Sequence, residues 1–197
     1  MHMNKLSRAI FIDRDGVIND LVYRDDEGHI GSPMSAKQLT VFPFAAETIK
    51  RIQAKGYLAI VVSNQPGVAK KQFTFAELQK MNQKIKRNLA KSGVSLDGEY
   101  YCLHHPNALI KKYKVNCDCR KPKPGLLLRA AKERRINLKD SYFVGDAISD
   151  VKAGKAAGCR TVLIGNMTDL LNRVITQEKA EPDYLIGSLK DVIGILS

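Results

Sequence analysis

Tyr57-Leu58-Ala59-Ile60-Val61-Val62 is an unbroken apolar run with no charged residue in it. A strand with one face in water alternates, so a continuous run of this kind belongs in a sheet covered on both faces. Such sheets are parallel, with helices packed on either side. The surrounding sequence fits that frame. Phe44 to Ala54 has helical periodicity, with Pro43 near its start and Gly56 after its end. Thr74 predicts the cap of a helix reaching about Leu89, with Glu77 three residues on to complete a capping box. Further strands are expected at 8–12, 99–103, 142–144, 161–164 and 183–186. Further helices are expected at 125–135 behind Pro124, at 149–157 before Gly158, and at the C-terminus. This alternation predicts an α/β fold, a doubly wound (Rossmann-like) and mostly parallel sheet.

At 197 residues the chain suits one such domain, spanning 1–197. Its 44% apolar content can fill a core, yet no stretch approaches the roughly 20 apolar residues of a membrane helix. The first residues carry no apolar run long enough for a secretion signal, so a cytoplasmic location is expected. An excess of basic over acidic residues gives +12, which favours anionic partners. The cations are dispersed over predicted helices (Lys50, Arg51, Lys55; Lys84, Lys86, Arg87; Arg129, Lys132, Arg134, Arg135), without the aromatic interleaving of single-strand binders. A phosphorylated small molecule is therefore expected before nucleic acid. No long apolar face is left unassigned, which predicts a monomer. Two polar inserts, 19–42 and 104–124, interrupt the pattern, and loops of such length usually carry function.

Both inserts leave from predicted strand ends, where open α/β sheets bind ligands, and four segments at those ends carry chemistry. Asp13-Arg14-Asp15-Gly16 follows strand 8–12. Carboxylates there hold a cation, act as nucleophile and acid/base, or merely cap a solvated turn. Ser63-Asn64-Gln65-Pro66-Gly67 follows 57–62 and offers a hydroxyl and amides as donors to an anionic oxygen. Arg120-Lys121-Pro122-Lys123-Pro124-Gly125 presents two cations on a proline-stiffened backbone, suited to phosphate. Gly145-Asp146-Ala147-Ile148-Ser149-Asp150 follows 142–144 and puts Asp146 where it could share a cation with Asp13. Asp150, one helical turn on, either orients that shell or caps the helix.

In that order the segments resemble the haloacid dehalogenase superfamily of aspartate-nucleophile phosphohydrolases, over nearly the whole chain. The resemblance implies that Asp13 attacks phosphorus to form an aspartyl-phosphate and that Asp15 is the general acid/base. It also implies Mg2+ bound by Asp13, the Asp15 backbone carbonyl and Asp146, with Asp150 behind them. Ser63, Arg120 and Lys121 would stabilise the transferring phosphoryl group, with Asn64 and Gln65 among the substrate contacts.

Cys102-Leu103-His104 and, 15 residues after Cys102, Cys117-Asp118-Cys119 make two short pairs across the second insert. Three thiolates and one imidazole suit a closed tetrahedral Zn2+ site, with free thiols as the alternative and His105 as a competing ligand. The run Tyr100-Tyr101-Cys102-Leu103-His104-His105-Pro106 and the C-D-C-R-K-P-x-P-G segment resemble the D-glycero-D-manno-heptose 1,7-bisphosphate phosphatases, a small capless bacterial family of the superfamily. That resemblance implies structural zinc on Cys102, His104, Cys117 and Cys119, and Arg120 and Lys121 on the substrate phosphate. The expected reaction is removal of the 7-phosphate from the heptose bisphosphate. Histidinol-phosphate phosphatase, with a shorter separation between its cysteine pairs, and a nucleic-acid 3′-phosphatase are the alternative enzymes. The insert 19–42 is longer and less similar than its counterpart in the family.

Overall fold

The computed structural model describes residues 6–24, 28–166 and 168–196. Its main sheet has six strands: β1 (Arg8–Ile12), β4 (Tyr57–Asn64), β5 (Gly98–Cys102), β6 (Tyr142–Gly145), β7 (Arg160–Ile164) and β8 (Tyr184–Ile186). They run in the order β5-β4-β1-β6-β7-β8, and every neighbouring pair is parallel. The chain moves outward from β1 through β4 to β5, then returns to the other side of β1 for β6. The strand order thus reverses between β1 and β6, and their carboxyl ends flank the crevice where such sheets bind ligands.

Alternation along each strand sends side chains to two separate cores. Ile10 and Ile12 of β1 join Ala59 and Val61 of β4 and Tyr142 and Val144 of β6 on one face. Helices α1 (Ala45–Ala54) and α2 (Phe75–Ala90) cover that face with Ile49, Ile52, Leu78, Met81, Ile85 and Leu89. Ala9, Phe11, Ile60, Val62 and Phe143 face the other way, under Leu126, Leu127 and Ala130 of α3 (Gly125–Arg134) and Ala153 and Ala157 of α4 (Ile148–Ala157). The continuous apolar run 57–62 is therefore buried on both faces, as a central parallel strand requires. Among the described residues no helix is long and apolar enough to cross a membrane.

Several local expectations differ from the structure. β4 extends through Ser63 and Asn64, which pair with Tyr101 and Cys102 of β5, so these polar residues lie on the strand rather than after it. The insert 19–42 contains an antiparallel hairpin, β2 (Val22–Arg24) and β3 (His29–Gly31). An additional helix, α5 (Asp169–Gln177), precedes β8, and the C-terminal helix is one short 3₁₀ segment, Leu189–Gly194. The Thr74 side chain accepts from Glu77 N at 3.1 Å, but the Glu77 carboxylate does not close the box. Glu77 Oε1 instead accepts from Ala36 N at 2.8 Å, while Lys84 Nζ donates to Ala36 O at 2.8 Å. Two residues of α2 thereby grip one residue of the insert, a long-range use of Glu77 that local helix rules do not foresee.

Candidate active site

The reversal point gathers charge. Asp13 N donates to Val144 O at 2.9 Å, which ties the residue after β1 to the neighbouring β6. The Asp13 carboxylate accepts from Arg14 N at 2.7 Å through Oδ1, and its Oδ2 lies 2.9 Å from Lys121 Nζ. Lys121 is only 4% exposed, and its ammonium also sits 2.6 Å from Asp150 Oδ1 and 5.5 Å from the Phe143 ring centroid. Burial works against that charge, but Asp13 and Asp150 outweigh it and raise the lysine above its ordinary value, so it stays protonated. Asp150 does two things at once: it pairs with Lys121, and its Oδ2 accepts from Ala147 N at 3.1 Å to cap α4. The helix cap that the sequence offered for Asp150 is present, and the ion pair with Lys121 is an additional contact.

Oxygens of Asp13, Asp146 and Asp150 lie within 4.8 Å of one another. Burial and the charges of Asp13 and Asp150 push Asp146 up to about 7. Three carboxylates held this close repel each other, and one lysine offsets only part of that. The cluster has the oxygen donors and the excess negative charge that a hard divalent cation requires.

Asp15 stands apart from this cluster. Its two oxygens accept from Arg14 Nε at 3.0 Å and Nη2 at 3.1 Å, from Asn19 Nδ2 at 3.0 Å and from Gln65 Nε2 at 2.8 Å. Burial favours the neutral acid, yet the Arg14 charge and these hydrogen bonds hold the carboxyl below the ordinary range. Ser63 is buried beside them, its Oγ 3.3 Å from Gln65 Nε2. The Asn64 amide forms a reciprocal pair with the Lys121 backbone, donating to its O and accepting from its N at 3.1 Å each. Both amides expected to meet substrate thus have protein partners: Asn64 fixes the lysine and Gln65 fixes Asp15. Arg120 is half-buried at the rim, with Nη1 donating to His104 O at 3.2 Å. Arg14 and Asn19 were not singled out in the sequence, since an arginine between two aspartates reads as a solvated turn. A groove of about 720 Å³ lined by Arg8, Tyr57 and Arg160 lies at the opposite, amino-terminal edge of the sheet.

Above the rim, Cys102, His104, Cys117 and Cys119 converge, with one ligand atom from each inside a 4.8 Å span. Cys119 Sγ lies 3.3 Å from Cys102 Sγ, 3.2 Å from Cys117 Sγ and 3.3 Å from His104 Nδ1. Ligand edges of a tetrahedral zinc–thiolate centre are roughly 3.7 Å, given bonds near 2.3 Å, so this arrangement needs little adjustment. His105 turns elsewhere and accepts from Asn107 N at 3.0 Å. Gly125 closes the loop from below, where a Cβ would fall 2.4 Å from Asp118 O.

A family model described as HAD-hydrolase-like matches residues 118–192. The D-glycero-beta-D-manno-heptose-1,7-bisphosphate 7-phosphatase of Pasteurella multocida (strain Pm70) is 36% identical over 189 residues, covering 95% of each chain. The enzyme of the same name from Escherichia coli (strain K12) is 34% identical over 194 residues, covering 96% of this chain and 94% of its own. Among solved structures, D,D-heptose 1,7-bisphosphate phosphatase from B. bronchiseptica, complexed with magnesium and phosphate, superposes with a TM-score of 0.77 at 27% identity, covering 95% of this chain and 97% of its own. Fold, rim and relatives together define a HAD-like phosphatase. Within that class the chain belongs to the D-glycero-beta-D-manno-heptose-1,7-bisphosphate 7-phosphatase family.

Proposed function

We propose that this protein removes the 7-phosphate of D-glycero-D-manno-heptose 1,7-bisphosphate by Mg2+-dependent hydrolysis through an aspartyl-phosphate. The observation that carries the chemistry is the meeting of Asp13, Asp146 and Lys121 at the β1/β6 reversal point. The names of the relatives support the sugar.

Asp13, aligned by Arg14 N and Lys121, attacks phosphorus, and the bond from phosphorus to the sugar oxygen breaks. Asp15 gives a proton to the leaving alkoxide, then takes one from the water that hydrolyses the aspartyl-phosphate, releasing inorganic phosphate. Its lowered proton affinity in the resting protein suits the base step. The arriving phosphate, a further negative charge, raises that affinity for the acid step. Lys121, Arg120 and the Ser63 hydroxyl face the phosphoryl oxygens. Asp13, Asp146 and the Asp15 backbone carbonyl would hold Mg2+, with Asp150 bracing Lys121 behind them. Bound there, the ion supplies charge neutralisation between carboxylate and phosphate. Cys102, His104, Cys117 and Cys119 would hold a closed structural Zn2+, one residue before Arg120, and so fix the aim of the two cations.

The test is phosphate release from the heptose bisphosphate, histidinol phosphate and a 3′-phosphorylated oligonucleotide. The first is expected to give the highest kcat/KM; an equal or higher value on either of the others overturns the substrate assignment.

A further inference from the structure

Asp15 is held by four hydrogen bonds, and Arg14 makes two of them as a planar fork. The Arg14 side chain is fully buried. A guanidinium removed from water contributes little net stability even when paired, so its place here calls for a reason other than holding the core together. Its remaining contact supplies one. Arg14 Nη1 donates to Asn82 Oδ1 at 3.0 Å, and Asn82 sits in the middle of α2, half-buried. Asparagine is a poor helix-interior residue because its amide competes for backbone partners. At this position the amide oxygen is turned to the arginine.

We propose that Asn82 is a positioning residue that sets the plane of the Asp15 carboxyl by fixing the Arg14 fork. Nε and Nη2 grip the two carboxylate oxygens as a bidentate pair, which ties the carboxyl plane to that of the fork. With Nη1 anchored on α2, the planar guanidinium cannot turn about its Cδ–Nε bond without losing the Asn82 acceptor. The carboxyl plane, and with it the direction in which Asp15 presents a proton, follows. This rests on Asp15 being the acid that protonates the leaving alkoxide, as in the function proposed above.

The experiment compares kcat/KM for a sugar phosphate, whose alkoxide needs a proton, with that for p-nitrophenyl phosphate, whose leaving group does not. Through this ratio, kcat/KM reports the first chemical step. Asn82→Ala is expected to lower the sugar/aryl ratio by about 10-fold, a part of the roughly 10²–10⁴-fold contribution of general acid catalysis. Asn82→Asp, which keeps an acceptor oxygen at the same place, is expected to restore most of the ratio. A merely structural role lowers both substrates together and leaves the ratio unchanged, which overturns the proposal. Asp15→Asn separates the two claims. If it lowers the ratio while Asn82→Ala does not, the acid assignment stands and the positioning role is wrong. If Asp15→Asn leaves the ratio unchanged, the acid assignment falls and takes the positioning role with it.

Discussion

Gly16 and Asp146 share space so closely that a Cβ on Gly16 would lie 2.0 Å from Asp146 Oδ2. Gly16 also has φ +76°, a left-handed conformation that costs other residues about 1–2 kcal/mol. The glycine of the first motif therefore makes room for the carboxylate of the last. Gly16→Ala is expected to push Asp146 out of the cluster and raise the Mg2+ concentration needed for half-maximal activity by roughly 10–100-fold. A Mg2+ titration of phosphate release checks this; an unchanged requirement removes Asp146 from the metal site.

Lys121 bridges Asp13 and Asp150, both of them in buried contact with its ammonium. Lys121→Met leaves two acids without that partner, a change worth about 3–5 kcal/mol of stability. Turnover should also fall on the order of 10²-fold or more, since a preorganised charge on the phosphoryl group is lost. Urea unfolding and phosphate release measure the two effects separately. A stable and fully active variant rules out both roles.

Asp13→Asn keeps the shape and the Arg14 N contact but removes the nucleophile. Turnover should be abolished, with far-UV circular dichroism unchanged. Retained activity excludes an aspartyl-phosphate on this residue.

Asp146 has its proton affinity raised from the ordinary 3.8 to about 7 by burial and by Asp13 and Asp150. The folded state therefore binds a proton that the unfolded chain has already released. Its stabilising contribution is complete below about pH 4 and is lost as pH rises through about 7. Metal-free protein should weaken over that window. A bound divalent cation removes the repulsion, so the rise in Tm on adding Mg2+ should be larger at pH 8 than at pH 5.5. Thermal melts at both pH values, with and without Mg2+, decide the matter; equal shifts count against a site at these carboxylates.

Cys117→Ser removes one of four converging ligand atoms. Natively purified protein is expected to carry about one zinc per chain, and the variant to carry much less. A loss of about 2 kcal/mol would lower Tm by roughly 4–8 °C in a chain of this size. Metal analysis beside a melting curve tests both, and a metal-free native protein with the same Tm rejects the site.

The sheet was legible because strands buried on both faces must be written almost wholly in apolar residues, as 8–12 and 57–62 are. Asp13, Asp146 and Lys121 could be named because each stands beside such a run or a proline-marked turn. What escaped depends on distance rather than pattern. The Glu77 carboxylate reaches Ala36, and Arg14 reaches Asn82, 68 residues away. No local spacing encodes those partners. The hairpin in the insert was hidden because its strands have three residues each, and in β3 His29 and Ile30 are exposed. Helix α5 lies in a stretch to which no element was assigned between 164 and 183.

Asn64 pairs with Cys102 across the sheet, and Gln65 N donates to Cys102 O at 2.7 Å. The strand that carries Cys102 into the upper cluster is thus bonded to the two residues that hold Lys121 and Asp15. The cysteine cluster above and the acidic site below hang from a common girder. Stripping the zinc proposed for that cluster should blunt the acid and the cation together, so the enzyme would fall silent well before it unravels.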